Sequence, residues 1–414
     1  MKKINKVKGT QDFLPDDMIL WKRAVEQIHS IMQRYSYGQI STPIFEHTNL
    51  FSRSIGEDTD IVNKEMYTWI DQGGKSLTLK PEQTAAVVRA YIDNNLQSTS
   101  PMTRLYYIEP SFRRERPQKG RYRQFHQFGV EAIGSAYPEI DAEIILIAYR
   151  TCMELGIKDI NLHLNSIGSI SCREKYISNL IEFLKSHSNH LSEISRKRIN
   201  TNPLRILDTK DPKEIEILEN APNILDYINA ECSEHFDELC TLLESSSIPY
   251  TIDKKLVRGL DYYTKTTFEI RSNSLGAQSA VCGGGRYDSL ISQLGGKETP
   301  AVGFAMGLER ATLLSNINLT DSPTLVYIAP IGEKSIERGF AIAEELRLLK
   351  KNTIHLEVSR KSIKAQFREA NKLDATFVIV IGENELIKGG CTIKNLSTKI
   401  EKFVTNSDIT NFFT

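Results

Sequence analysis

Two short runs in which bulky and polar residues alternate, Leu105-Tyr-Tyr-Ile-Glu109 and Phe125-His-Gln-Phe-Gly-Val-Glu131, bracket the most cationic stretch of this 414-residue chain. Alternation of period two marks strands with one face in a core and the other toward solvent. Between them, Phe112 to Tyr122 reads F-R-R-E-R-P-Q-K-G-R-Y. Arg113, Arg114, Arg116, Lys119 and Arg121 crowd around a single acid, Glu115, with Pro117 and Gly120 as turn residues. The pattern predicts an antiparallel hairpin standing on a sheet, with arginines at its tip. A guanidinium offers paired donors that match phosphate oxygens two at a time, so such a tip suits a nucleoside triphosphate better than a lattice of surface ion pairs.

The rest of the composition makes any anion site a local one. Lys plus Arg and Asp plus Glu are each 52, so no global field draws in nucleic acid and any such contact must come from patches. The length suggests two or three domains, and 40% hydrophobic with 25% charged residues is ordinary for a soluble globular protein. The longest apolar run, Ile144 to Tyr149, is far shorter than the ~20 residues of a membrane span, which predicts no membrane partner. Met1-Lys-Lys leads into polar Asn5, Lys6 and Lys8 without the apolar segment of a signal peptide. Cys152, Cys172, Cys232, Cys240, Cys282 and Cys391 include no C-x-x-C pair and read as reduced structural thiols. Cys232, His235 and Cys240 come nearest to a metal cluster, but on a helical pattern with no second pair.

Along the chain, apolar residues at helical spacing (Ile19, Leu20, Ala24, Ile28, Ile31, Met32) predict a helix over Asp16 to Gly38, capped by Asp16 or Asp17 and closed at the glycine. Ile40 to Phe45 reads as a strand interrupted by Pro43, which belongs at an edge or a bend. Pro81 to Tyr91 has a proline and an acid suited to a first helical turn, and Pro138 to Leu155 is a second helix ended by Gly156. From about Ser171 to Ile248 the texture turns to Ser, Asn, Glu and Lys at helical spacing, an inserted helical module. Strand character returns over Tyr250 to Arg271 and Ala277 to Val281, and Pro300 to Ser315 carries a strand into a helix. Beyond Pro323, strands at Thr324 to Pro330, Thr353 to Val358 and Ala375 to Gly382 alternate with helices at Glu333 to Lys351 and Ser362 to Leu373, a βαβ pattern with a parallel sheet. Residues 323–414 carry 14 Lys and Arg against 11 Asp and Glu, mildly basic and compatible with an RNA partner.

Three further segments carry chemistry. Leu256-Val-Arg-Gly-Leu-Asp-Tyr-Tyr-Thr264 sets Arg258 beside Gly259 and paired aromatics ahead of a strand. Cys282-Gly-Gly-Gly-Arg-Tyr-Asp288 is a glycine run that lets backbone approach a ligand closely. Ala301-Val-Gly-Phe-Ala-Met-Gly-Leu-Glu-Arg310 hands a glycine-bearing strand over to a helix whose first turn directs Arg310 toward the sheet. Together with the hairpin, these segments resemble the nucleotide site of class II aminoacyl-tRNA synthetases: the hairpin is similar to motif 2 and Gly307-Leu-Glu-Arg310 to motif 3. The Arg258 to Thr264 stretch, Gly283-Gly-Gly-Arg-Tyr-Asp288 and Lys8-Gly-Thr-Gln-Asp-Phe-Leu-Pro15 resemble the histidyl-tRNA synthetase family in particular, and the likeness runs from Val7 nearly to the C-terminus.

The resemblance implies an α+β chain: an antiparallel sheet flanked by helices, split between residues 1–170 and 251–320, with a helical insertion at 171–250 and an α/β anticodon-binding domain at 323–414. It implies a ligase that activates L-histidine with ATP, accompanied by Mg²⁺ not held by protein alone, and passes the acyl group from histidyl-adenylate to the 3′ end of histidine tRNA. Arg113 then matches the arginine that grips the α-phosphate and substrate carboxylate, Arg258 a second arginine across that phosphate, and Arg310 and Arg121, with Glu115, the groups around the bent triphosphate. Glu131 and Tyr263 resemble the pair that reads the imidazole. Glu82, Thr84 and Gln127 resemble the anchors of the α-amino end, with Gln83, Arg258 and Tyr262 also in the histidine pocket. Pro43 resembles the motif 1 proline at a homodimer contact, and the family works in the cytoplasm. A related regulatory subunit of ATP phosphoribosyltransferase shares the catalytic fold without aminoacylation, but such paralogues lose the C-terminal domain and erode the arginines and the Arg-Gly-Leu-Asp-Tyr-Tyr stretch, all of which this chain retains.

Overall fold

Helix α1 (Pro15–Arg34) starts one residue ahead of the aspartates expected to cap it. Proline at the first helical position has no N–H to satisfy, and Asp17 reaches back to accept the Leu14 N–H at 3.0 Å. The helix also ends before Gly38: Ser36 takes the left-handed turn at φ 61°, and Tyr37 N–H closes on the Met32 carbonyl at 3.0 Å. Gly38 instead opens β1 (Gly38–Gln39), and the next strand is β2 (Phe45–His47), so the strand expected over Ile40 to Phe45 is broken around Pro43, which has no N–H for a ladder.

The computed structural model describes residues 3–56, 59, 61–118, 120–258, 260, 262–274, 280–317 and 324–413. Lys119, Gly259, Asp261, Pro323 and residues 277–279, all singled out above, lie outside the described residues. The chain divides into two units, Met1–Ile317 and Asn318–Thr414.

In the first unit, α2 (Thr48–Ile55), β3 (Tyr67–Ile70) and β4 (Ser76–Leu79) follow, and β2, β4 and β3 form a small antiparallel sheet. Helix α3 (Thr84–Asp93) begins three residues after Pro81 rather than at it. The Glu82 carboxylate accepts the Thr84 and Ala85 N–H groups at 2.8 Å each, so the acid satisfies the helix start from outside while Pro81 stays in the approach. β5 (Thr103–Phe112) and β6 (Gln124–Ile133) are the expected hairpin, pairing from Thr103 opposite Ile133 to Phe112 opposite Gln124. Then come α4 (Pro138–Glu154), closed by Gly156 in the left-handed region, β7 (Ile160–Ser166), α5 (Ile170–Ser186), α6 (Glu193–Thr201), α7 (Pro212–Leu218), α8 (Ala230–Ser245), β8 (Tyr250–Ile252), β9 (Thr264–Ser272), β10 (Ala280–Arg286), α9 (Leu290–Gln293), β11 (Ala301–Gly307) and α10 (Leu308–Leu314).

Among the described residues, eight strands form one sheet in the order β1-β5-β6-β11-β10-β9-β7-β8, antiparallel except for the outermost pairs β1/β5 and β7/β8. The period of two sends Phe128, Val130, Phe268, Phe304 and Met306 to one face, where they pack with α1, α4 and α8; Phe304 lies edge-on to Phe128 with centroids 5.4 Å apart. Gln127, Gly129 and Glu131 take the other face. That face is roofed by Val88 and Tyr91 of α3, by Tyr176 and Leu180 of α5, and by Tyr262, Tyr263 and Tyr287. The C-terminal part of β6, expected to be half-buried, is therefore buried on both sides. Residues 171–248 are helical as expected, but α8 contributes Phe236, Leu239 and Leu243 to the core beneath the sheet.

A buried ion pair fastens these layers. Arg286, fully enclosed on β10, directs Nη2 to Asp141 Oδ2 of α4 at 2.5 Å and Nη1 to the Ser135 carbonyl at 2.8 Å, while His235 of α8 lies 3.3 Å from the same Oδ2. His235 and Cys232, paired by sequence proximity as candidate ligands, thus point to different neighbours.

The second unit is a five-stranded sheet, β13-β12-β14-β15-β16, from β12 (Leu325–Pro330), β13 (Thr353–Leu356), β14 (Phe377–Ile381), β15 (Gly390–Asn395) and β16 (Glu401–Thr405). The first three are parallel, as predicted; β15 and β16 add an antiparallel edge that the sequence pattern did not disclose. Helix α11 (Ile336–Leu348) packs Ile342, Ala343 and Leu346 on one face, and α12 (Ile363–Lys372) packs Ala370 on the other. Shorter α13 (Glu383–Ile387) and α14 (Ile409–Phe412) complete the unit.

Removing one member of a buried, multiply bonded ion pair leaves an uncompensated charge in the interior. Asp141→Ala should therefore destabilise the first unit by about 3–5 kcal/mol, read as a shift in its urea unfolding midpoint, whereas an exposed pair such as Lys197 with Glu193 should contribute about 0.5 kcal/mol or less.

Candidate active site

Glu131 stands near the centre of the sheet face, 1% exposed, opposite Gly303 of β11. The glycine is required there: a Cβ at position 303 would lie 1.9 Å from Glu131 Oε2. Oε1 accepts the Thr84 hydroxyl at 2.8 Å and the Tyr107 hydroxyl at 3.2 Å, and Oε2 accepts the Tyr287 hydroxyl. Burial pushes the carboxyl up to about 8, and these hydrogen bonds offset only part of that cost. Glu82, buried at the mouth of α3, is also raised by burial, although its two backbone N–H bonds and the Arg113 charge oppose the shift.

A polar chain continues from this floor toward the hairpin. Gln83 Nε2 donates to the Pro110 carbonyl at 3.0 Å and to Ser111 Oγ at 2.8 Å, and Ser111 Oγ donates to Gln127 Oε1 at 3.1 Å. Glu82, Gln83, Thr84, Gln127 and Glu131, chosen from sequence, thus converge on one pocket wall.

Tyr263, which the resemblance makes a reader of the imidazole together with Glu131, is buried within reach of that carboxylate. It lies with Tyr262, ring centroids 4.7 Å apart, and is turned toward Arg258. Besides Thr84, the hydroxyls on Glu131 come from Tyr107 and Tyr287. Tyr287 belongs to the quoted Gly283 to Asp288 motif, so a signal was present; Tyr107 looked like any strand aromatic.

Arg258 donates through Nη1 to Glu269 Oε1 at 2.8 Å, and Arg271 Nε holds the other oxygen of that carboxylate at 2.6 Å. The glycine run, expected to admit a ligand, is a central strand buried from Val281 to Arg286, and the space it leaves is filled by protein: a Cβ on Gly283 would lie 2.4 Å from Arg258 Nη1. The glycine fits because a guanidinium rests flat against the strand.

A second cluster of cations lies at the hairpin. Arg113 donates through Nε to the Pro81 carbonyl at 2.8 Å and stacks over Phe125 at 5.3 Å, while Glu115 sits 3.7 Å from Arg113 and 3.0 Å from Arg121. Arg310 donates to the Gly120 carbonyl at 3.2 Å and the Ala280 carbonyl at 2.9 Å. Burial, with the charges of Arg121 and Arg113 close by, lowers the Arg310 guanidinium from its ordinary value, so three arginines share one neighbourhood. Arg114 and Arg116 are exposed, and Pro43 is exposed on the loop between β1 and β2.

A buried acid pocket beside an arginine cluster, on one face of an antiparallel sheet, is a combination that comparison with known proteins can place. The model of the family described as histidyl-tRNA synthetase matches residues 9–311, and that of an anticodon binding domain matches residues 325–413. A histidine–tRNA ligase of Desulfitobacterium hafniense is 45% identical over 397 residues, covering 95% of this chain and 93% of that protein. One from a Marinomonas species is 46% identical over 404 residues, covering 96% and 95%. The crystal structure of apo histidyl-tRNA synthetase from S. aureus superposes with a TM-score of 0.83 at 34% identity, covering 99% of this chain and 100% of that one. With likeness sustained over both units, the chain belongs to the histidyl-tRNA synthetase family.

Proposed function

We propose that the Glu131 pocket takes L-histidine, that the arginines of the hairpin and α10 take ATP, and that the chain joins them as histidyl-adenylate before charging histidine tRNA. One observation carries this reading: a buried carboxylate that accepts three hydroxyls is joined through Thr84 to Glu82, and Glu82 lies within reach of the charge of Arg113, which shares its neighbourhood with Arg121 and Arg310. An imidazole offers one donor and one acceptor, which an acid and a hydroxyl satisfy together. In this reading Glu131, Tyr263 and Tyr262 receive the ring, with Tyr107 and Tyr287 holding Glu131 in place, and Glu82, Gln83, Thr84 and Gln127 receive the α-amino end.

In the first step a carboxylate oxygen of histidine attacks the α-phosphorus of ATP, a new P–O bond forms, and the bond to pyrophosphate breaks. Negative charge grows on the α-phosphate oxygens, so cations fixed in advance stabilise the transition state more than the ground state. Arg113, tethered by Pro81, and Arg258, tethered by Glu269, are the residues for this task. Arg121, Arg310 and Glu115 take the triphosphate end. Mg²⁺ supplies further neutralisation when it arrives with ATP. In the second step a hydroxyl of the terminal tRNA ribose attacks the acyl carbon and AMP leaves.

Residues 323–414 are the tRNA-reading part of this scheme, supported by their net positive charge and by exposed Phe340 and Phe403. The domain scheme of a catalytic fold at 1–170 and 251–320 and an insertion at 171–250 belongs to the same reading. Homodimerisation through the Pro43 region is supported by a cluster of exposed apolar side chains beside it: Ile44 (46%), Phe45 (51%), Trp69 (39%) and Ile70 (65%). A cytoplasmic site of action follows from the role in translation; among the described residues no helix is long and apolar enough to cross a membrane.

The direct test is ATP–pyrophosphate exchange with each of the twenty amino acids. Activity is expected with histidine alone, and equal activity with another amino acid overturns the assignment. Arg258→Ala should slow adenylate formation at least ~10²-fold while leaving histidine binding nearly intact, because Arg271 continues to hold Glu269 and the lost contact matters chiefly in the transition state. Pre-steady-state rates separate the two effects.

Glu131 also makes a stability prediction. Its folded value of about 8 lies above the unfolded value near 4.5, so the native state keeps a proton that the unfolded chain has released, and native stability falls as pH rises through that window. Glu131→Gln should abolish exchange yet be more stable than the parent at pH 8, by on the order of 1–3 kcal/mol, with the difference vanishing near pH 4.5. Parallel urea titrations at the two pH values give the comparison.

A further inference from the structure

Away from the substrate pocket, two cysteines face one another across the first turns of two long helices. Cys172 is the third residue of α5 and Cys232 the third of α8. The helices are capped alike: Ser169 Oγ accepts the Cys172 N–H at 3.4 Å, and Asn229 Oδ1 accepts the Cys232 N–H at 2.9 Å. Each sulfur also meets the cap of the other helix. Asn229 N–H donates to Cys172 Sγ at 3.3 Å, while Ser169 N–H lies against Cys232 as well as Cys172. Ser169 Oγ donates to Cys172 Sγ at 3.2 Å, and the two thiols lie within electrostatic reach of one another.

This environment favours a thiolate. Two helix N-termini converge on it, and the Lys265 ammonium, held by Glu231 of α8 at 2.7 Å, is close enough to act on Cys232. The two thiols differ in a useful way. Burial alone would push the Cys172 thiol up, but hydrogen bonds from Ser169, Asn229 and Cys232 outweigh it and leave it lowered. Cys232, with fewer donors, is pushed up by burial. Both lie just beneath exposed residues, Ile170 and Ser171 on one helix and Ala230 and Glu231 on the other. The Cys152 and Cys282 thiols are also neighbours, but deep in the main core, where burial pushes Cys282 far up.

We propose that Cys172 and Cys232 form a dithiol that hydrogen peroxide oxidises to a disulfide, with Cys172 attacking and Cys232 resolving. The Cys172 thiolate attacks a peroxide oxygen: an S–O bond forms, the O–O bond breaks, and water leaves after proton uptake. Cys232 then attacks the resulting sulfenic sulfur, the S–S bond forms, the S–O bond breaks, and a second water departs. Two thiols are oxidised and one hydrogen peroxide is reduced to two waters.

The pair is wired to the pocket wall. Ile167 N–H donates to the Lys265 carbonyl at 2.7 Å and Lys265 N–H to the Gly168 carbonyl at 2.8 Å, locking Lys265 in a left-handed conformation at φ 46°, two residues after Tyr263. A disulfide that pulls on the Ser169 turn therefore moves the strand end carrying Tyr262 and Tyr263. This consequence, unlike the dithiol itself, rests on the histidine-pocket reading above.

The full-length protein is exposed to stepwise hydrogen peroxide, its remaining thiols are alkylated, and it is digested without reductant. A linked peptide pair containing Cys172 and Cys232 is expected, with a loss of 2 Da that dithiothreitol reverses. Cys232→Ser should stop at a sulfenic acid on Cys172 that dimedone traps, and Cys172→Ser should give neither product, with both variants as active as the parent before oxidation. The absence of a Cys172–Cys232 link in the parent, or a link through Cys152 and Cys282 in its place, overturns the dithiol. For the coupling, oxidation should raise the KM for histidine about threefold or more and reduction should restore it; a linked protein with unchanged KM overturns that connection alone.

Discussion

A carboxylate sunk into the middle of a sheet is the constraint around which the first unit is organised. Glu131 would be costly to bury unless its oxygens were satisfied, so Thr84, Tyr107 and Tyr287 each bring a hydroxyl to it, from a helix start, a neighbouring strand and the end of β10. The same carboxylate is why β11 carries a glycine opposite. Even so, burial leaves the carboxyl raised to about 8. On the proposed reading, the energetic penalty of this site is released only when an imidazole enters.

The arginines raise the opposite problem, and the fold handles it with the fewest acids that will hold them still. Glu115 spans Arg113 and Arg121, and Glu269 spans Arg258 and Arg271. Backbone carbonyls at Pro81, Gly120 and Ala280 add tethers for Arg113 and Arg310. Carbonyl tethers orient a guanidinium while leaving its charge available, which is what a site for an incoming polyanion requires.

The helices between β7 and β9 are part of this machinery rather than an appendage. Through Asp141, Arg286 and His235 they are joined to α4 and β10, and through Gly168 and Lys265 to the start of β9. A perturbation at their N-termini has a short, hydrogen-bonded route to the strand end that precedes Thr264, which carries Tyr262 and Tyr263.

The local features of the chain were legible in the sequence because they depend on short-range chemistry. The period of two in β5 and β6, the Pro117 and Gly120 turn, and the alternation of strand and helix after residue 324 gave the hairpin and the parallel core of the second unit. Motif residues Glu82, Thr84, Gln127 and Glu131 could be gathered into one pocket only through family resemblance, since nothing local brings positions 47 residues apart into hydrogen-bonding contact. Element borders went astray where a neighbour outcompeted a propensity: Glu82 capping α3 from outside, Asp17 reaching back to Leu14, and Ser36 rather than Gly38 taking the left-handed turn. What tertiary structure alone decided is which group meets which. The glycines of β10 shelter Arg258, Tyr287 meets Glu131, and Cys172 lies within reach of Cys232 across 60 residues, because sheet register and helix packing, not sequence spacing, set the distances over which a hydroxyl, a guanidinium or a thiol can act.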